Sequence, residues 1–441
     1  MSLISSIEKI NEILWGPIML LLLLGTGVWY TFQLGFPQLT KLSTGFKEVF
    51  APIFRSEGKQ SESGISSFQA LATSIAAQVG TGNLAGVATA IAAGGPGAIF
   101  WMWVSSFFGM ATIFAEAVLA QVYREKRDGK WKGGPAYYIR NGLGNRFLAG
   151  FFAVSIILAL GFIGNMVQSN SIAAAFDQAF SVPRWLIGII VAMFVAFIIF
   201  GGIERIASFA EKVVPLMAVL YMGGSVVIAV LYADQLAAAF SLIVSAAFQT
   251  ESVAGGVLGA TIKEAIRYGV ARGLFSNEAG MGSTPHAHAA ADVSHPAKQG
   301  FVAMIAVFID TVIICTLTAL VILVTDAYQT DLTGIALTQE GFTRAFGSFG
   351  YPFIAICLLF FSFTTILGWA YFGENNAVYL FGERSLPLYR SIVLVFIVLG
   401  TLIEVPVVWQ LADTFNALMV LPNLIALLLL SKVVKSVFRE L

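Results

Sequence analysis

Charge is what this chain has least of. Only 11% of its 441 residues are Asp, Glu, Lys or Arg, against about 25% in soluble proteins. A surface facing water on all sides needs more, so the chain reads as an integral membrane protein. Lys and Arg balance Asp and Glu to a net charge of zero. That removes the electrostatic case for nucleic acid, and nothing points to an obligate protein partner. Only two cysteines occur, Cys315 and Cys357, both inside apolar runs, which excludes a disulfide framework. There is no G-x-x-x-x-G-K-[ST] loop, so ATP is not the expected energy source. No nucleophile–base–orienter set stands out, and an enzyme is not expected. A soluble domain and low-complexity segments are also lacking. No small-residue cleavage site follows a basic start, so Leu14 to Leu34 reads as a first span and not a cleaved leader.

What fills the chain is apolar. Hydrophobic residues make up 58% and mean hydropathy is +0.83, with 37 Phe and 43 Gly. Long unbroken apolar runs indicate helices that each span a bilayer. Small residues let such helices approach closely. The expected fold is all-α and integral to the membrane, with eleven transmembrane spans: 13–34, 67–93, 97–122, 147–176, 184–201, 212–232, 253–276, 300–325, 347–380, 389–403 and 406–431. Hydropathy alone would reject the 253–276 span, because it carries Lys263, Glu264, Arg267 and Arg272.

Basic residues crowd the cytoplasmic side of membrane proteins. In this arrangement Lys41, Lys47, Arg55 and Lys59 share a side with the basic cluster from Arg124 to Arg146 and with Lys432, Lys435 and Arg439. Lys9, Arg184 and Arg344 fall opposite. The N-terminus is then outside and the C-terminus inside, and the compact loops suit a prokaryotic cytoplasmic membrane. Spans two to six (67–232) and seven to eleven (253–431) form two sets of five. An odd number per set inverts one against the other, with 13–34 as an extra helix in front, all within one transporter domain.

The segment Ala72-Thr-Ser-Ile-Ala-Ala-Gln-Val-Gly-Thr-Gly-Asn-Leu-Ala85 interrupts the second span at its middle. Gly80 and Gly82 weaken a helix there, beside the polar Gln78, Thr81 and Asn83. Unwound backbone at that depth is tolerated only where protein or a cavity surrounds it. Free N–H groups from Gly80 to Asn83 suit a carboxylate. Carbonyls from Ala77 to Gly80 suit a small cation. The competing reading, a glycine packing face, leaves three polar side chains in need of partners. A second disrupted stretch, Ala271-Arg-Gly-Leu-Phe-Ser-Asn-Glu-Ala-Gly280, opens the second set and holds Phe275, Ser276, Asn277 and Glu278. Paired interruptions favour a transporter over a channel.

Other candidates gain meaning beside these breaks. Thr364 and Thr365 lie mid-span and offer hard hydroxyl oxygens for a small cation; alone, each would bond back to its own helix. Asn165 and Gln168 are one turn apart, lining a cavity or gluing helices. Trp369 can cap a small cavity or simply pack. Glu116 and Asp310 are intramembrane acids, functional by default or structural. His286, His288 and His295 read as loop residues, since no Cys or carboxylate pattern completes a metal site.

Gly94-Gly-Pro-Gly-Ala-Ile-Phe-Trp-Met-Trp-Val-Ser-Ser-Phe-Phe-Gly-Met110 resembles the signature of the alanine/glycine:cation symporters, also called sodium:alanine symporters. Gly133-Gly-Pro-Ala-Tyr-Tyr-Ile139 and Ser276-Asn-Glu-Ala-Gly-Met-Gly-Ser283 are similar to the same family, and the resemblance covers essentially the whole chain. It implies a LeuT-type fold of ten core helices and sodium-coupled uptake of alanine or glycine, of either hand of alanine in some members. It implies no cofactor, only sodium as coupling ion. The substrate carboxylate would meet Gly80, Thr81 and Gly82. Gln78, Asn83 and the second break would hold the amino group. Sodium would sit between first-core-helix carbonyls and Thr364 and Thr365. Phe275, Ile366 and Trp369 would bound a pocket with room for little more than a methyl group. Proton or lithium coupling, with Glu116 and Asp310 as carriers, is the nearest alternative.

Overall fold

The computed structural model describes residues 3–54, 64–127, 129–248 and 261–440. Arg55 and Lys59 of the expected first loop, and 253–260 of the expected seventh span, lie outside the described residues. Apart from one antiparallel hairpin, β1 (Glu125–Arg127) with β2 (Lys130–Lys132), every regular element among them is helical.

Among the described residues, seven helices are long and apolar enough to cross a bilayer, and an eighth span results if the bent pair Ser67–Gln78 and Gly82–Gly94 is counted as one. Two shorter apolar helices, Arg184–Ile199 and Ala233–Ala246, accompany them; the second of these was not foreseen. Of the other expected spans, Leu386–Gly400 has 15 residues, short of the roughly 20 that cross hydrocarbon. Ile262–Asn277 keeps its charges.

Helix ends follow the sequence. Ser66 and Gln69 form a capping box ahead of Ser67–Gln78, and Thr261 and Glu264 form one ahead of Ile262–Asn277. Each satisfies N–H groups that a helix start leaves open. Glycine sets the packing distance where helices cross. A Cβ on Gly97 would stand 2.5 Å from the backbone of Ala246, and one on Gly273 would stand 2.8 Å from Ser105 Oγ. The Pro296–Val307 and Ile262–Asn277 helices both pack along Ala98–Val122, while Asn165–Phe180 packs along Gly350–Phe381. The core lies among these elements and contains Ala77, Phe275, Ile366 and Trp369.

The second break is displaced from its expected place. The helix runs through Ala271–Asn277, and the regular backbone stops only at Glu278. Gly273 serves close approach, not unwinding. The turn is made further on, where Glu278, Gly280 and Gly282 all have positive φ (59°, 92° and 79°). A short helix, Pro285–Ala290, then follows.

Candidate functional site

The first break begins at Val79, whose ψ of 92° leaves the helix. Its own N–H still reaches Ile75 O at 2.8 Å. The next N–H, on Gly80, turns to Asn83 Oδ1 at 2.9 Å, and that frees the Ala76 carbonyl from its helical donor. The chain resumes as a π-turn, Gly82–Gly86, before the helix Val87–Gly94. The two halves meet at 49°.

Thr365 fills the gap. Its Oγ1 lies 3.0 Å from Ala76 O, 3.3 Å from Val79 O and 3.0 Å from Phe361 O. Thr364 Oγ1 lies 2.9 Å from the same Phe361 carbonyl. Ala76, Val79 and Phe361 thus supply the carbonyls here: Val79 lies inside the expected run from Ala77 to Gly80, Ala76 one residue before it and Phe361 outside it. Ala77 instead faces Gly368, where an added Cβ would stand 2.8 Å from the alanine methyl. A nest of neutral oxygens suits a small, hard cation. The pair's spacing from Phe361, three and four residues on, is the helical signal for this arrangement.

The two breaks touch. Gln78 Nε2 donates to Asn277 O at 2.6 Å. A Cβ on Gly82 would stand 2.9 Å from Ser276 Cα. Both sides then converge on Asp310, inside a π-segment, Phe308–Cys315. Asn83 Nδ2 donates to Asp310 Oδ1 at 2.6 Å, Ser276 Oγ to Oδ2 at 2.9 Å and Thr311 Oγ1 to Oδ2 at 2.8 Å. Asn277 Nδ2 reaches Thr311 Oγ1 at 3.0 Å. Thr311 and Cys315, 3.4 Å from Asn83 Nδ2, were not foreseen as neighbours of this cluster. They stand one and five residues after Asp310, spacings that do not share an α-helical face, so the sequence carried no signal for them.

Gln168 joins from the third wall, its Oε1 accepting from Thr81 N at 3.1 Å. Asn165 does not reach either break; its Nδ2 turns back to Gly161 O at 3.0 Å. Gln78 Oε1, Thr81 Oγ1 and Asn165 Oδ1 are buried without a hydrogen-bond partner. Such atoms are costly unless something satisfies them. Phe275 stands edge-on to Trp369 at 5.8 Å between centroids, and Ile366 is fully buried.

Two further acids hold the second break. Glu116 accepts Gly280 N at 3.0 Å, Gly282 N at 2.9 Å and Asn423 Nδ2 at 2.6 Å, and so satisfies two N–H groups of the unwound backbone. Glu278 accepts Trp369 Nε1 and Ser283 Oγ. His286 and His288 lie on the buried helix Pro285–Ala290, not on an open loop. The former stacks on Phe372 at 5.6 Å and faces Asn376 at 2.8 Å.

Comparison with known proteins follows this geometry. The model of the sodium:alanine symporter family matches residues 1–441. The probable sodium/glutamine symporter GlnT of Bacillus subtilis is 45% identical over 432 residues, 98% of this chain and 89% of that protein. The sodium/alanine symporter AgcS of Methanococcus maripaludis is 44% identical over 445 residues, 99% and 96% of the two chains. A putative sodium/proton-dependent alanine carrier, YrbD of Bacillus subtilis, is 42% identical over 97% of this chain and 90% of its own. Among solved structures, MhsT in complex with L-phenylalanine aligns with a TM-score of 0.57 at 11% identity, covering 84% of this chain and 90% of its own. That likeness is one of fold, the LeuT type.

Proposed function

We propose that this chain, which belongs to the sodium:alanine symporter family, imports a small neutral amino acid, alanine or glycine, together with sodium by alternating access. The observation that carries the reading is the position of Thr365, whose hydroxyl oxygen faces three carbonyls across a broken helix. Sodium as cargo would bind there, between Ala76, Val79, Phe361, Thr364 and Thr365, and would fix the angle between the two half-helices. The substrate carboxylate would take over the N–H groups of Gly80 and Thr81 from Asn83 and Gln168. The amino group would find the unpartnered Gln78 Oε1. Phe275, Ile366 and Trp369 would exclude larger side chains by bulk. In this reading 67–232 and 253–431 are inverted repeats behind an extra helix at 13–34. The N-terminus is outside and the C-terminus cytoplasmic.

Coupling requires each ligand to bind better with the other present. Thr365→Ala removes one oxygen ligand and leaves the amino-acid groups in place. The sodium concentration for half-maximal uptake should rise about tenfold or more, the loss of roughly 1.4 kcal/mol. Alanine affinity at saturating sodium should change much less. The assay is radiolabelled alanine uptake into proteoliposomes, with an inward sodium gradient against a potassium control. An unchanged sodium titration would remove Thr365 from the site; sodium-independent accumulation would remove sodium. Proton coupling is the second reading, favoured by the buried carboxylates of Asp310 and Glu278, which accept hydrogen bonds from the neutral Asn83, Ser276, Thr311, Trp369 and Ser283. Uptake driven by a pH gradient without sodium would select it.

A further inference from the structure

One cavity with charged walls lies away from the breaks. It holds about 190 Å³ and lies between the N-terminal helix Leu3–Leu14, the Ile262–Asn277 helix and the Val405–Leu429 helix. Glu8, Glu12, Arg267, Arg272 and Asp413 all line it. We infer that this cavity is a separate binding site for a zwitterionic amino acid, outside the central site, with the N-terminal helix as one wall; the inference rests on the reading of the chain as an amino-acid symporter.

The N-terminal helix is tied down where the cavity needs it. Asn11 Nδ2 donates to Gln410 Oε1 at 2.6 Å, Thr414 Oγ1 donates to Asn11 Oδ1 at 2.7 Å, and Trp15 Nε1 donates to Asp413 O at 3.0 Å. Glu8 and Glu12, one helical turn apart, therefore share one face over the cavity. The floor is a two-pronged pair. Arg272 Nη1 and Nη2 reach Asp413 Oδ1 and Oδ2 at 3.0 and 2.7 Å. The guanidinium also lies 5.0 Å from the Trp409 ring. Trp409 lies tilted against Phe275 at 5.0 Å between centroids, and Phe275 meets Trp369 edge-on. The cavity is thus separated from the breaks by one ion pair and a column of aromatic rings.

The chemistry of the walls selects the ligand. Arg272 is 7% exposed, and its Nη1 and Nη2 are committed to Asp413, so it closes the floor of the cavity. Arg267 contacts the ring of its neighbour Tyr268 and forms no ion pair among the described residues, and the same holds for Glu8 and Glu12. The Arg267 guanidinium offers a forked donor to a carboxylate, and Glu8 and Glu12 offer acceptors to an ammonium. One small molecule carries both charges, a free α-amino acid. The volume lies below the roughly 300 Å³ at which pockets for drug-sized ligands begin.

The test places a reporter thiol on the wall without touching a charge. Ala271→Cys lines the cavity, and both native cysteines are buried. The rate of its modification by a charged methanethiosulfonate is measured on the full chain in proteoliposomes. L-Alanine, L-glutamine and propionate are the probes, in the native background and in Gly82→Leu, which disables the central site. Alanine or glutamine should slow modification about fivefold near saturation in both backgrounds, and propionate should not. Adding Glu12→Gln and Arg267→Gln should abolish the protection. No protection in either background overturns the proposal. Protection only with Gly82 intact also overturns it, because binding at the centre then closes the cavity. If Ala271→Cys does not reach the membrane, Tyr268→Cys reports from the same wall. Uptake by the unsubstituted chain reads the central function separately, so failure of one does not mask the other.

Discussion

A single glycine hydrogen sets the geometry of the first break. A Cβ on Gly80 would stand 2.5 Å from Thr365 Oγ1 and 3.0 Å from Gln168 Oε1. Either the threonine leaves its three carbonyls or the break shifts. Gly80→Ala should therefore reduce sodium-driven uptake at least about tenfold while costing only a few kcal/mol of stability, as overpacking does. Normal uptake with normal thermal stability would show that the contact yields. The type of residue at this position was legible in the sequence, because a glycine packing face would leave Gln78, Thr81 and Asn83 in need of partners at membrane depth. Which carbonyls face Thr365 was not. Ala76 and Val79 carry no side-chain signal, and their carbonyls are exposed only because Gly80 N bonds to Asn83.

At the level of the element, each break needs something to satisfy its open backbone. The first uses side chains from within and beside itself, Asn83 and Gln168. The second uses Glu116 from the neighbouring Ala98–Val122 helix, with Asn423 as a bridge between that carboxylate and Gly280 O. Replacing Glu116 by Gln keeps the shape but turns an NH₂ towards one of two backbone N–H groups. An unsatisfied buried donor costs about 1–3 kcal/mol. Glu116→Gln should lower thermal stability by that amount and abolish uptake, measured together on the purified chain. Retained uptake would mean that the second break tolerates loss of its anchor. Three π-segments, Gly82–Gly86, Ile157–Gly164 and Phe308–Cys315, lie in or beside the elements that carry Asn83, Gln168 and Asp310. Such segments gather at functional sites. Their hydrogen-bond register depends on neighbouring helices, so a pattern of apolar residues could not reveal them.

Across the whole molecule, the β-hairpin links parts that are far apart in sequence. Lys132 reaches Glu383 at 2.5 Å, after the Gly350–Phe381 helix. Lys130 reaches Glu204 at 2.7 Å, on the Gly202–Leu231 helix. The second pair is well exposed, so it contributes little. The first is less so, at 12% and 42% side-chain exposure. If alternating access separates these parts, the first pair holds one state. Lys132→Glu should shift the uptake rate about twofold to fivefold, the effect of a pair of about 0.5–1 kcal/mol. The swap Lys132→Glu with Glu383→Lys should restore it. A swap no better than the single change would show that the pair is not coupled to transport.

The sequence by itself determined that this chain lives in a bilayer, that it is helical, that its second apolar segment is broken and to which family it belongs. Those conclusions need only composition, hydrophobic run length and local motifs, which short stretches of chain carry without help. The tertiary structure decided what lies across from what. It placed the second break after Asn277, turned Asn165 back on its own helix, gave Glu116 to Gly280 and Gly282, and brought Asp310 between both breaks. It also set Glu8 and Glu12 over Arg267 and Arg272, more than 250 residues further along the chain. These pairings depend on where helices cross, and crossing is fixed by close packing among distant glycines and aromatic rings, which no local window of sequence contains.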